Sequence, residues 1–196
     1  MSSREDILAR VRGNQPAPRP LPALDAFARP LESPLDTFRA SLERMGGMLV
    51  APAPGMPVEA AIRARYPDAA VVCSATAEVP GNRPLSAMTP PATLADVDVG
   101  VVRARFGVAE TGSVWLSEAE YLVNALGFLS QHLAVLLDPA DIVANIHVAF
   151  RNPGFRDAGY AVLMTGPSAT ADIEGVLIRG AQGIRSLTVF AAPRPA

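Results

Sequence analysis

Two short segments of the 196-residue chain carry groups able to do chemistry. In Val108-Ala109-Glu110-Thr111-Gly112-Ser113 a carboxylate rides on a glycine-bearing turn between two apolar runs. Partial burial would raise the pKa of Glu110 and make it a base or a nucleophile, with Thr111 to orient it. The same turn can instead use Glu110 to accept hydrogen bonds from nearby amides and hold the backbone. The second segment, Met164-Thr165-Gly166-Pro167-Ser168-Ala169-Thr170-Ala171-Asp172-Ile173-Glu174, reads as a buried strand, a glycine turn and a helix starting at Ser168. Such a junction leaves amides unpaired at the positive end of the helix dipole, a seat for phosphate or carboxylate. A structural role competes here too, with Ser168 as a cap and Thr170 and Asp172 satisfying first-turn amides. The strand's carboxyl end favours a ligand, because open α/β sheets hold ligands there.

Other polar groups are less specific. His132 opens the apolar run Leu133 to Leu137; it can donate to a ligand at neutral pH or be satisfied by backbone at a strand edge. His147 lies on a helix flank beside Val143 and Phe150 and reads as surface or core edge. Arg103 and Arg105 alternate along one strand, placed either to clamp an anion or to face solvent. Trp115 reads as core, and Cys73 as a small apolar residue in a central strand.

Composition removes whole classes of chemistry. All 17 basic residues are arginine, so a lysine Schiff base, a lysine general base and a Walker-type phosphate lysine are excluded. One cysteine cannot form an internal disulfide or hold an iron–sulfur cluster, and the two histidines have no metal-ligand spacing. A net charge of −2 offers no bulk field for nucleic acid. The start MSSREDILARVR is charged and helix-patterned, and no window approaches a membrane-spanning length. A cytoplasmic protein with no membrane span and no nucleic-acid partner is the expectation.

The elements that must position these groups follow from periodicity. Ile7, Leu8 and Val11 share a stripe on a short first helix, and the stretch QPAPRPLP reads as an extended tether, so residues 1–34 form an appendage and 35–196 one domain. Ser33-Pro34 caps a helix carrying Leu35, Phe38, Leu42 and Met45, ended by Gly46-Gly47. Strands are expected at Met48 to Val50, Ala70 to Cys73, Val99 to Val102, Phe106 to Ala109, Ser113 to Leu116, Leu133 to Leu137, Tyr160 to Met164 and Leu187 to Ala191. Helices are expected at Pro57 to Tyr66, through Leu122, Leu126 and Leu129, from Pro139 with Ile142, Val143, Ile146 and Phe150 on one face, and from Ser168 with Ile173, Val176 and Leu177 inward. Residues Ser74 to Pro91 read as a loop that can pass over the site. The alternation predicts an α/β domain with a mainly parallel sheet, covered on both faces, and a hairpin-like antiparallel part.

AETGS at Ala109 to Ser113 and TGPSATADIE at Thr165 to Glu174 resemble the paired signatures of the LUD-domain family, and the whole chain is similar to its lactate utilisation protein C branch. The resemblance is good from about Asp98 to Val189; before that it rests on length, the opening helix and the proline-rich link. It implies a Rossmann-like three-layer sandwich of the isomerase/coenzyme A transferase-like superfamily. It also implies a part in oxidising L-lactate to pyruvate beside iron–sulfur partner proteins, which would have to carry the clusters. The chain would have no identifiable cofactor of its own, but would bind a small anionic or nucleotide-like ligand around Glu110, Thr111, Gly112, Thr165, Gly166, Ser168 and Thr170, with Asp172 at the rim. Relatives often have a histidine where this chain has His132. In coenzyme A transferases a glutamate on a strand turn is the nucleophile, and Glu110 matches that place, so a stand-alone acyl-CoA or phosphosugar enzyme is the alternative. The chain departs from the family's pattern at Gln182-Gly183-Ile184-Arg185, where relatives carry His-Gly-Pro, and at Arg105, where they often carry aspartate.

Overall fold

The computed structural model of the chain describes residues 3–20, 30–171, 177–179 and 182–195. Helix α1 (Ser3–Gly13) carries Glu5 and Asp6 in its first turn and Arg10 and Arg12 in its last, which suits the helix dipole, but it buries no residue. Helix α2 (Pro34–Arg44) starts as its sequence dictates: Pro34 takes the first position and the Ser33 hydroxyl accepts from the Asp36 amide at 3.2 Å. Its inward stripe places Phe38 and Leu42 fully out of solvent.

The chain then builds β1 (Met48–Val50), α3 (Val58–Arg65), β2 (Val72–Ser74), a 3-10 turn at Pro91–Leu94, β3 (Val99–Arg103), β4 (Phe106–Val108) and β5 (Ser113–Ser117). Next come α4 (Glu118–Tyr121), α5 (Leu126–Leu129), β6 (His132–Leu137), β7 (Ile142–Val143), α6 (Ile146–Ala149), α7 (Gly154–Asp157), β8 (Ala161–Met164), β9 (Ala169–Ala171), β10 (Leu177–Arg179) and β11 (Ser186–Ala191). Five of these strands form a central sheet in the order β1-β11-β6-β3-β2, every pair parallel. A second sheet, β7-β4-β5-β8, is antiparallel except where β7 joins β4.

Alternate residues of the central strands go to opposite faces, as the pleat requires. Val99, Val101, Ala134, Leu136 and Phe190 pack with Ala61, Ile62 and Tyr66, at and just beyond α3. Val102, Leu133, Val135, Leu187 and Val189 belong to a larger core with Phe38 and Leu42 of α2 and with Val114 and Leu116 of the second sheet. The far side of that second sheet gathers Phe106, Val108 and Trp115 against α6 and Phe155 of α7. The fold is therefore mixed α/β, with a mainly parallel sheet flanked by helices. Among the described residues no helix is long and apolar enough to cross a membrane.

Several local expectations are corrected. The stretch from Ser168 does not form a helix: Ala169–Ala171 pairs antiparallel with Leu177–Arg179 as a β-hairpin. The Ser168 amide donates to the Ile184 carbonyl at 3.1 Å, so Ser168 begins no helical turn. Ile173, Val176 and Asp172 lie outside the described residues. The helix expected from Pro139 is divided, because the Asp138 carboxylate accepts from Ala140 in a tight 3-10 turn and β-branched Ile142 and Val143 are drawn into pairing with β4. Asn145 then caps a separate four-residue α6. The helix through Leu122 and Leu129 is likewise broken into α4 and α5 at Leu122, which takes φ 58°. Strand β8 starts at Ala161 and joins the second sheet rather than a parallel βα unit.

Cys73 lies in an edge strand instead of a central one, yet it is fully buried, and burial pushes its thiol pKa up. The loop after β2 is what covers it. The Asn82 side chain brackets that strand by accepting from Val72 and donating to the Ala70 carbonyl, Arg83 grips Asp96, and Glu78 is gripped by Arg103. The loop thus stitches down the edge of β2, an arrangement that shields exposed strand amides.

Candidate functional site

The two signature segments meet. The Ser113 hydroxyl lies 2.7 Å from that of Thr111 and 2.6 Å from that of Thr165, so three hydroxyls from two distant turns form one chain. Strand pairing makes this meeting possible: β5 and β8 run antiparallel with Val114 opposite Met164, which sets Ser113 and Thr165 side by side at one end of the ladder. Removing the central member by Ser113→Ala leaves two hydroxyls without their partner in a largely buried place, an expected loss of about 1–3 kcal/mol. Thermal unfolding should register it, and Thr165→Val combined with Ser113→Ala should cost less than the sum of the two.

Both turns are roofed by the carboxyl end of α2. Gly112 has φ 70° and Gly166 φ 124°, conformations that L side chains rarely adopt. A Cβ on Gly112 would stand 2.6 Å from the Leu42 Cα, and one on Gly166 2.7 Å from the Met45 carbonyl oxygen. The Ser41 hydroxyl donates to the Glu110 carbonyl at 3.2 Å and receives the Arg44 guanidinium at 2.9 Å, tying the same helix to the same turn. The glycines of both signatures therefore serve close backbone approach.

Glu110 itself is exposed. Its Oε2 accepts from the Ile146 amide at 3.1 Å at the start of α6, and its own amide donates to the Ala144 carbonyl at 3.0 Å. Oε1 has no protein partner among the described residues. The amide of Gly112 donates to the Val108 carbonyl and that of Ser168 to the Ile184 carbonyl, so these two backbone donors are engaged internally. The Ser168 turn follows β8 of the second sheet and lies beside residues that precede β11, at the amino-terminal rim of the parallel sheet. The ligand-binding rule for parallel sheets points to the opposite rim. Thr170 is exposed on β9.

Arg103 and Arg105 are not free to clamp a ligand. Arg103 is paired with Glu78 and donates to the Ala192 carbonyl at 3.0 Å. Arg105 donates to Glu120 at 2.9 Å and lies 4.9 Å over the fully buried Trp115 ring. Glu120 also closes a capping box on Ser117, so one carboxylate serves both. His147 is half-buried on α6.

His132 stands apart from the hydroxyl chain. It opens β6 at the amino-terminal rim, where its Nδ1 lies 2.8 Å from the Ser186 hydroxyl and its ring stacks on Tyr66 at 5.0 Å. Burial, then the nearby Arg65 and Arg185, hold its pKa below the usual imidazole value. It borders an open cavity of about 360 Å³ lined also by Asp68 and Asp98. The pairing of Arg65 and Arg185 at this cavity escapes sequence reading, because one looks like an ordinary helix end and the other is marked only as a departure from the family's pattern; the register that starts β6 and β11 together reveals it. Among the described residues no three of His, Cys, Asp or Glu converge as metal ligands.

Comparison with known proteins agrees with the architecture. The LUD-domain model matches residues 90–191, a span that contains β3 to β11 and both signature segments. The structure is similar to the crystal structure of a DUF162-family protein from Deinococcus radiodurans, with a TM-score of 0.60 and 18% identity. That likeness covers 83% of this chain and 99% of the other. No curated protein matches the sequence. The family match extends over more than half of the residues and carries both motifs, and the chain belongs to the LUD-domain family.

Proposed function

We propose that the protein is a component of L-lactate utilisation, acting in the oxidation of lactate to pyruvate beside iron–sulfur partner proteins and not as an independent catalyst. Family membership supports the lactate context. The observation that carries the accessory role is the state of Glu110: an exposed carboxylate with one oxygen engaged by the Ile146 amide lacks the desolvation that turns such a group into a nucleophile. Oxidising lactate removes two electrons and two protons. A chain whose one cysteine is buried has no donor set for a cluster to take those electrons. The clusters therefore belong to partners, and this chain supplies a surface and a small-ligand site at the joined turns, with the rim hydroxyl of Thr111 as its polar group.

Deleting the gene in its own host, with other lactate dehydrogenases removed, should abolish growth on L-lactate. Complementation with Glu110→Gln should restore that growth, since the amide oxygen can still accept from Ile146. Unimpaired growth of the deletion strain would overturn the lactate role. Failure of a stably folded Glu110→Gln protein to complement would instead favour the second reading, an enzyme working through this carboxylate.

A further inference from the structure

We propose that the cavity at the amino-terminal rim of the parallel sheet is a phosphate seat, with the guanidinium groups of Arg65 and Arg185 and the Nε2 of His132 as its donors. It is a different site from the joined turns and stands whether or not the lactate role holds. Five other arginines are paired with carboxylates: Arg63 with Glu59, Arg83 with Asp96, Arg103 with Glu78, Arg105 with Glu120 and Arg194 with Asp141. Arg65 and Arg185 line one cavity together with Asp68 and Asp98, yet neither forms an ion pair with any described residue. Asp98 is held elsewhere, its Oδ2 accepting from the amides of Ala70 and Val71 at 2.9 and 2.8 Å. Two arginines at one opening, neither held in an ion pair by the aspartates that share the cavity, suit an external oxyanion.

The aromatic floor fixes the donors. Arg65 lies 5.1 Å from the Tyr66 ring centre, and the Tyr66 hydroxyl donates to Thr188 at 2.8 Å, so the ring that supports Arg65 is itself anchored to β11. Ser186 occupies Nδ1 of His132, which leaves Nε2 as the nitrogen for a ligand. The pKa of His132 is held down by burial first and then by Arg65 and Arg185, with Asp98 opposing them. A phosphate placed between the two arginines accepts from both guanidinium groups. The cavity, about 360 Å³, is larger than one phosphate, and Asp68 with the free Oδ1 of Asp98 can accept from hydroxyls of an attached organic body. Free phosphate and a hydroxylated phosphate monoester share this recognition.

The test uses the full chain, whose only two histidines give separable imidazole resonances. Inorganic phosphate and glycerol 3-phosphate are titrated at low ionic strength, where screening of exposed guanidinium groups is least. The His132 resonance should shift saturably with a Kd on the order of 1 mM and its titration midpoint should rise, while His147 stays still. Arg65→Gln and Arg185→Gln should each weaken binding about fivefold or more, both being exposed changes that spare the core. Tighter binding of glycerol 3-phosphate would identify a monoester as the occupant, and equal binding would identify free phosphate; either supports the seat. The absence of a saturable shift, an undiminished shift in the Arg65→Gln/Arg185→Gln double variant, or equal affinity for L-lactate would overturn it.

Discussion

Alanine at Gly112 should leave little folded protein. The residue sits at φ 70° directly beneath α2, and a methyl there would meet the Ser41 carbonyl carbon at 2.6 Å and the Leu42 Cα at the same distance. These are backbone atoms, so no rotamer change relieves the clash. Holding alanine in the left-handed region costs about 1–2 kcal/mol, and forcing bulk into a packed contact adds about 1–3 kcal/mol or more. Lifting α2 away would also withdraw Phe38 and Leu42 from the central core, where both are fully buried. The sum, about 2–5 kcal/mol before any displacement of α2 is counted, is a large part of the roughly 5–15 kcal/mol that holds a domain together. Circular dichroism melting should show a collapsed transition or an insoluble product; a melting temperature like that of the parent would mean that α2 does not press on this turn. Because the same substitution disrupts a family signature, loss of lactate growth in such a variant would report on folding and not on chemistry.

Trp115→Ala should be the most damaging substitution outside the signatures. The indole is fully buried, stacked on Phe106 with ring centres 5.5 Å apart, tilted against Phe155 at 5.9 Å and covered by Arg105. Its removal opens a cavity in the outer core and costs about 3–5 kcal/mol. Trp115→Phe should cost far less, because it keeps an aromatic body in the stack and discards an indole N–H that has no acceptor among the described residues. Denaturant titration of the two variants separates these terms. Equal losses would show that a phenylalanine does not restore the packing of this stack.

Much of the architecture was legible because burial imposes a period. The runs Val99 to Val102, Leu133 to Leu137 and Leu187 to Ala191 each became strands of the parallel sheet, since continuous apolar stretches of this length have two covered faces to fill. Ser33-Pro34 marked α2 correctly, its cap being a local hydrogen bond that sequence encodes directly. The failures fall where tertiary pairing overrode local preference. Ser168 with Asp172 four residues on looks like a helix start, but the Ile184 carbonyl claims the Ser168 amide and Ala169–Ala171 finds a strand partner. Ile142 and Val143 fit a helical stripe until β4 recruits them. At the site, the meeting of the two signatures was readable as a resemblance, whereas the hydroxyl chain between them and the helix above them depend on the β5–β8 register and on a contact between residues about seventy positions apart. Arg185 stood out only as part of a departure from the family's pattern and Arg65 not at all, because 120 positions separate them and only the β6–β11 register brings them together.

The strand order has a consequence for biosynthesis. β11, formed by residues 186–191, lies between β1 and β6 and hydrogen-bonds to both. Until residues 186–191 are made, β1 has no neighbour in this sheet and β6 has one edge unpaired, so the sheet closes only after they emerge. β2, β3 and β6 can pair earlier, but β1 and the open edge of β6 wait, and unpaired edges are where a nascent sheet is most exposed to aggregation.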